Sequence, residues 1–180
     1  QAVKIKQNAS IEYLQLNNQQ VKKTKNIDIN LSAIAKGYAA DEIAALLNKT
    51  GAQDFMIEIG GEVVAQGRWK IGIEMPDNMT PIAIHLENQS IATSGNYRNY
   101  FIWEGKRYAH ILSPHTGLPA DTDLFSVSVI HPHNLLADAY ATAMMAMGSE
   151  SAKKLAKQLN LKTLMVLDKA HQHQIIRTGL

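Results

Sequence analysis

Apolar and polar residues alternate along ASIEYLQL, residues 9–16, and predict a strand. The polar run QQVKKTKN, 19–26, reads as a connection. From 31 to 51 the period changes: Ile34, Tyr38, Ile43, Leu46 and Leu47 recur at helical spacing, with Asn30 or Ser32 as cap and Gly51 as stop. DFMIEIGGEVVAQG, 54–67, reads as two strands pinched at Gly60 and Gly61, and RWKIGIEMP, 68–76, as another strand ended by Pro76. TPIAIHLENQSIATSG, 80–95, suggests a strand, a turn at ENQ and a second short strand. YRNYFIWEGKRYAHIL, 97–112, reads as a hairpin turning at EGK, and SPHTGLPADT, 113–122, as a loop. FSVSVIHP, 125–132, predicts a strand and NLLADAYATAMMAMG, 134–148, a helix ending at Gly148. A short helix follows over 149–160 with Ser149 or Ser151 as cap, and LKTLMVLD and HQIIRTG close the chain as strands. Hairpins outnumber strand–helix–strand crossovers. The expected fold class is therefore α+β, a mainly antiparallel sheet packed by helices in one domain over 1–180.

Bulk properties narrow the function classes. The 180 residues are 46% hydrophobic and carry eighteen basic against sixteen acidic side chains, a formal charge of +2. Lys and Arg form no long run, so charge does not suggest a nucleic-acid partner. The charge balance leaves an anionic small ligand, held by a few placed cations, open. There is no cysteine, which excludes disulfides, thiolate metal sites and cysteine nucleophiles in this chain. No apolar run is long enough for a transmembrane segment. The first residues do not resemble a signal peptide and do not begin with Met, so a processed or recombinant fragment is expected.

Four stretches carry candidate chemistry. In ADAYATA, 137–143, Asp138 and Thr142 stand four apart and share a helix stripe among core-like residues. A buried carboxylate needs a partner, and a hard cation such as Mg²⁺ takes oxygen ligands. By spacing alone the plainer reading is that Asp138 caps the helix and Thr142 bonds back to the carbonyl of residue 138, although Asn134 already offers a cap. In NLSAIAKGYAADE, 30–42, a helix start could receive a phosphate, with Lys36 one turn in and Gly37 where a helix disfavours glycine. IEIGGEVVAQG, 57–67, allows close approach at its glycines but is no dinucleotide fingerprint, and a bulged hairpin is its default reading. In ATSGNYRNY and RYAHILSPHTGLP, the groups Thr93, Ser94, Asn96, Arg98 and His110 stand beside strand ends, where sites often lie. His110 by itself reads as a hydrogen-bonded core residue. His115, His131 and His133 read as structural or surface residues.

Taken in order, NLSAIAKGYAADE, IEIGGEVVAQG, KIGIEMP, IATSGNYRNYF, RYAHILSPHTGLP, SVSVI and ADAYATAMMAMG closely resemble the ApbE-type flavin transferases. These FAD:protein FMN transferases were formerly known as thiamine-biosynthesis lipoproteins. The resemblance runs from about residue 10 onward. It implies an enzyme that binds FAD and Mg²⁺ and moves FMN onto a threonine hydroxyl of an acceptor protein, releasing AMP. Acceptors are typically flavin-carrying subunits of envelope electron-transport complexes. By the same resemblance, Asp138 and Thr142 match metal ligands by side chain and Ala33 by its backbone carbonyl. Lys36, Asn30 and Ile111 match positions that contact FAD, and His110 the histidine best placed for proton transfer. Ser94 and Arg98 are further candidates to bind the cofactor.

The chain departs from the family pattern at two positions. Asn30 stands where the family usually has Asp, and Ser113 where it has the Asp of HILDP. Family members also carry a sizeable segment upstream that contributes to the FAD pocket, so an N-terminally truncated chain is expected. The resemblance implies the periplasmic side of a bacterial envelope, often through a lipid anchor not present here. Two other readings stay open: a metal-dependent FAD pyrophosphatase giving FMN and AMP, and a non-catalytic FAD-binding protein.

Overall fold

The computed structural model describes residues 10–76, 79–96, 100–104, 106–169 and 172–180. A single 3-10 turn, Ile11–Tyr13, leads into β1 (Leu14–Asn17) and β2 (Gln20–Lys23). Helix α1 (Ala35–Lys49), β3 (Phe55–Ile59), β4 (Glu62–Ile73) and β5 (Ile82–Gly95) follow. Next come β6 (Tyr100–Trp103), β7 (Lys106–Ala109), β8 (Leu124–His131), α2 (Asn134–Met147), α3 (Ser149–Gln158), β9 (Lys162–Lys169) and β10 (Gln172–Thr178). One six-stranded sheet runs β10-β9-β8-β5-β4-β3, antiparallel at every pairing. The α+β expectation stands, as does the antiparallel hairpin of β6 and β7.

Three local readings need correction. The polar run at 19–26 contains β2, which pairs with β1 across a two-residue turn. All its residues are exposed, so hydrophobic alternation could not signal it. The predicted breaks at residue 67 and at ENQ are one feature, since β4 and β5 each run on as single strands. Two residues, Gln66 and Gly67, oppose Asn88 there, which defines a β-bulge rather than a turn. Gly67 sits at φ +83°, and its N–H donates to Asn88 Oδ1 at 2.8 Å. Helix α1 starts at Ala35, and neither Asn30 nor Ser32 caps it. Asn30 instead accepts from the Ser32 N–H at 2.7 Å, an Asx turn just upstream.

The helices lie across the sheet in chain order: α1 over β3 and β4, α2 over β5 and β8, α3 against β9 and β10. Alternation along β9 separates two cores. Met165 and Leu167 join the cluster packed under α2 and α3, while Leu164 and Val166 join a second cluster with Val63, Leu86 and Phe125. The buried face of α1 is not the predicted apolar stripe. Gly37, Ala40 and Ala44 are buried, whereas Tyr38, Ile43 and Leu46 are exposed. Small residues win that face because α2 comes very close there. Helix α3 begins at Ser149, whose N–H and hydroxyl both donate to Asp123.

Candidate functional site

The site begins where α1 meets α2. A Cβ added at Gly37 would lie 2.5 Å from the Asn134 carbonyl oxygen and 2.9 Å from Leu135 Cα. Only glycine lets the two backbones approach that closely, which answers why a helix tolerates it here. The contact is fixed by two hydrogen-bonding devices. Asp41 of α1 accepts from the N–H groups of Asn134 at 2.8 Å and Leu135 at 2.9 Å, and so caps α2 from another helix. The Gly37 N–H in turn donates to Asp138 Oδ2 at 3.2 Å. Asp138 is therefore no cap of its own helix, and Asn134 is no side-chain cap either. Thr142 shares a hydrogen bond with Ser94, Oγ1 to Oγ at 3.0 Å, so the hydroxyl is directed toward the end of β5.

Diverting the Gly37 N–H has a second effect. In a regular helix it would reach the carbonyl four residues back, that of Ala33. Among the described residues no backbone N–H donates to the Ala33 oxygen, whereas the Leu31 carbonyl accepts from both Ile34 and Ala35. The α1 entrance thus leaves an uncommitted carbonyl one turn from Gly37.

These elements border a cavity of about 840 Å³, within the usual size range of small-molecule and cofactor sites. Lys36, Ser94, His110, Asp138 and Thr142 all line it, although they come from four separate parts of the chain. Ser32, Thr93, Gly60, Gly61 and Glu62 line it as well. Asn30 and Ala33 flank the α1 entrance outside this lining, and Ile111 lies in the core under α2, its carbonyl accepting from Ala120 N–H at 2.8 Å. Arg98 falls outside the described residues. His115 is exposed, and at the end of β8 His131 Nδ1 accepts from the His133 N–H at 3.0 Å; neither lines the cavity.

Sequence reasoning missed Glu62. It follows the tight Gly60–Gly61 turn, where both glycines have positive φ (57° and 100°), and heads the buried stretch of β4. Its side chain is only 2% exposed. Glu62 Oε1 accepts from Lys36 Nζ at 2.5 Å, while Oε2 is buried with no hydrogen-bond partner among the described residues. Burial pushes the Glu62 carboxyl above its ordinary 4.5; Lys36 pulls it back and the charge of Asp138 adds to the rise. Asp138 is likewise pushed above 3.8 by burial, against the opposing Gly37 N–H and Lys36. The signal that could have found Glu62 is an acidic residue heading an otherwise apolar strand, GGEVVA. Asp41 was missed too, because a cap supplied from another helix leaves no local spacing to read.

Among the described residues no cluster of three or more His, Cys, Asp or Glu is placed to hold a metal. The oxygens that could hold one are the buried Asp138 carboxylate and the Thr142 hydroxyl, which line the cavity, and the Ala33 carbonyl at the α1 entrance outside that lining. These are hard oxygens, the type that suits Mg²⁺, an ion that takes few protein ligands. Asp138 is desolvated and takes one N–H among the described residues, so its chemistry fits a cation.

The chain is similar to several known proteins. The model of the ApbE family matches residues 1–165. The FAD:protein FMN transferase of Haemophilus influenzae is 37% identical over 149 residues, covering 77% of this chain and 43% of that protein. The Escherichia coli (strain K12) protein of the same name is 35% identical over 147 residues, covering 77% and 42%. The crystal structure of flavinyl transferase ApbE from Pseudomonas stutzeri, in its apo form, superposes with a TM-score of 0.87 at 31% identity, covering 96% of this chain and 56% of that one. The flavin transferase ApbE from Vibrio cholerae does so with a TM-score of 0.91 at 31% identity, covering 99% and 60%. The chain thus spans less than half the length of these curated relatives. With the family model matched over most of its residues, the chain belongs to the ApbE family.

Proposed function

We propose that this chain carries the catalytic half-site for Mg²⁺-dependent transfer of FMN from FAD to a threonine hydroxyl of an acceptor protein, with release of AMP. The observation that carries the reading is the convergence of Lys36, Ser94, His110, Asp138 and Thr142 on one cavity large enough for a dinucleotide. The names of the relatives support the flavin chemistry.

In this reading Asp138, Thr142 and the Ala33 carbonyl hold the magnesium ion, which when bound supplies charge neutralisation for the pyrophosphate. The acceptor oxygen forms a bond to the phosphorus of the FMN half, and the bond from that phosphorus to the bridging oxygen breaks toward AMP. His110 takes the hydroxyl proton as general base. Lys36 steadies the leaving phosphate. Ser94 holds the Thr142 hydroxyl in place. Asn30 and Ile111 mark the family's flavin-contacting positions, and Asn30 meets the nucleotide without the charge that the usual Asp would bring. The acceptor is a flavin-carrying subunit of an envelope electron-transport complex, on the periplasmic side.

Incubation with FAD, Mg²⁺ and a threonine-bearing acceptor, followed by mass spectrometry of all products, tests this. The expected result is an acceptor heavier by one FMN, with AMP in equal amount. Free FMN and AMP without acceptor modification would point to the pyrophosphatase instead. Bound, uncleaved FAD would point to a carrier.

A further inference from the structure

The cavity poses an electrostatic problem for its proposed ligand. Among the described residues, four carboxylates (Glu58, Glu62, Glu74 and Asp138) line it against two lysines, Lys36 and Lys70. A dinucleotide brings a negatively charged pyrophosphate. Of the two lysines, Lys36 is engaged by Glu62 at 2.5 Å and by the Gly60 carbonyl at 3.4 Å. Lys36 is nevertheless 45% exposed, so its ammonium can swing into the cavity, whereas Glu62 is buried and anchored at the head of β4. The second Glu62 oxygen is buried with no hydrogen-bond partner among the described residues, so the carboxylate has unused capacity.

We infer that Glu62 is a positioning residue that couples cation binding to dinucleotide binding by controlling Lys36. The inference rests on the proposed site. A divalent cation at Asp138 attracts the Glu62 carboxylate and repels the Lys36 ammonium. Both forces act to separate the pair. Lys36 then becomes available to the pyrophosphate, and Glu62 keeps a positive neighbour. Without a cation, an incoming pyrophosphate meets a closed ion pair and the Asp138 carboxylate. Glu62 thereby makes the two ligands bind together rather than independently, and the coupling is reciprocal.

Two measurements test this on the wild-type chain and on Glu62→Gln, which keeps the shape and removes the charge. The first is FAD affinity by flavin fluorescence with and without Mg²⁺. Wild type should bind FAD tens of times more tightly with Mg²⁺, and Glu62→Gln should lower that ratio about tenfold, within the usual span of coupling energies. An unchanged ratio would overturn the inference. The second needs no dinucleotide: the rate at which an amine-acylating reagent modifies Lys36, read by peptide mass spectrometry. Mg²⁺ should speed the wild-type reaction several-fold, while Glu62→Gln should react fast with or without Mg²⁺ (roughly the released rate in both). Lys36 labelling that ignores Mg²⁺ in the wild type would also overturn the inference, even if the variant failed to fold. If neither protein binds FAD but the labelling follows expectation, the flavin reading fails and the coupling of Glu62 to Lys36 stands.

Discussion

Asp41 and Asp123 sit at the starts of α2 and α3; Glu62 and Asp138 sit in the cavity. The first two use both carboxylate oxygens on donors. Asp41 takes two backbone N–H groups of α2, and Asp123 takes the Ser149 N–H at 3.0 Å and its hydroxyl at 2.6 Å. The cavity pair is more deeply buried yet less well satisfied: among the described residues Glu62 Oε2 has no partner and Asp138 is reached by the Gly37 N–H. The balance of forces reverses accordingly. Burial pushes all three of Glu62, Asp138 and Asp123 upward, but at Asp123 the Ser149 donors outweigh it and hold the carboxyl below 3.8. This fold can saturate a carboxylate where structure requires it. Two left unsaturated beside one cavity therefore mark a place built for something other than stability.

Replacing Asp138 by Asn should separate the two kinds most sharply. Transfer of FMN should fall about a thousandfold, roughly 4 kcal/mol of lost transition-state stabilisation. Stability should hold or rise, because a desolvated charge is gone while the Gly37 N–H keeps an acceptor. Product mass spectrometry and thermal unfolding read the two effects together. A melting temperature lowered by several degrees would put Asp138 in the same class as Asp41. The next effect concerns the backbone that brings these groups together. Gly37→Ala raises helix propensity by about 1 kcal/mol, yet its Cβ collides with the Asn134 carbonyl. Overpacking should win, with a net loss of about 2 kcal/mol in urea unfolding. A stabilised variant would show that the α1–α2 approach is slack.

Asp41→Ala should cost less, about 1 to 2 kcal/mol, the usual loss of a helix cap. Its transfer rate should fall by less than tenfold if Asp41 only supports α2, and a urea titration beside the transfer assay separates the two effects. A rate loss as large as that of Asp138→Asn would mean that the cap sets the site geometry directly.

The fold was legible wherever burial imposes a period. Strands β3 and β8 to β10, and the boundaries of α2, follow from alternation, helical spacing and Gly148, whereas alternation divides β4 and β5 each in two at the bulge. Asp138 and Thr142 could be paired by their spacing, though only the family resemblance distinguished a cation site from a capped helix. What stayed hidden depends on partners far away in the chain. The exposed β2 exists because β1 pairs with it. The bulge at Gly67 is completed by Asn88, 21 residues on. Apolar spacing in α1 pointed to Tyr38, Ile43 and Leu46, yet the buried stripe is Gly37, Ala40 and Ala44, because neighbouring α2 sets the distance. Glu62 became visible only when Lys36, 26 residues earlier, was seen against it.

The smallest effect tests the other side of the comparison through pH. Asp123 is held below 3.8, so the folded protein gives up this proton more readily than the unfolded chain. Its contribution to stability is therefore fully present above pH 3.8 and is lost as pH falls through the lower folded value. Asp123→Asn removes that contribution. At neutral pH the variant should be less stable by about 1 kcal/mol, a modest figure because Asp123 is exposed and screened by solvent. Below pH 3.8 the two stability curves should approach each other and merge. Glu62 and Asp138, pushed the opposite way, bend both curves alike and cancel in the difference. Urea unfolding of wild type and variant across the acid range measures that difference directly. A gap that stays constant down to the lowest pH would mean that the Ser149 donors recognise the shape of the side chain rather than its charge.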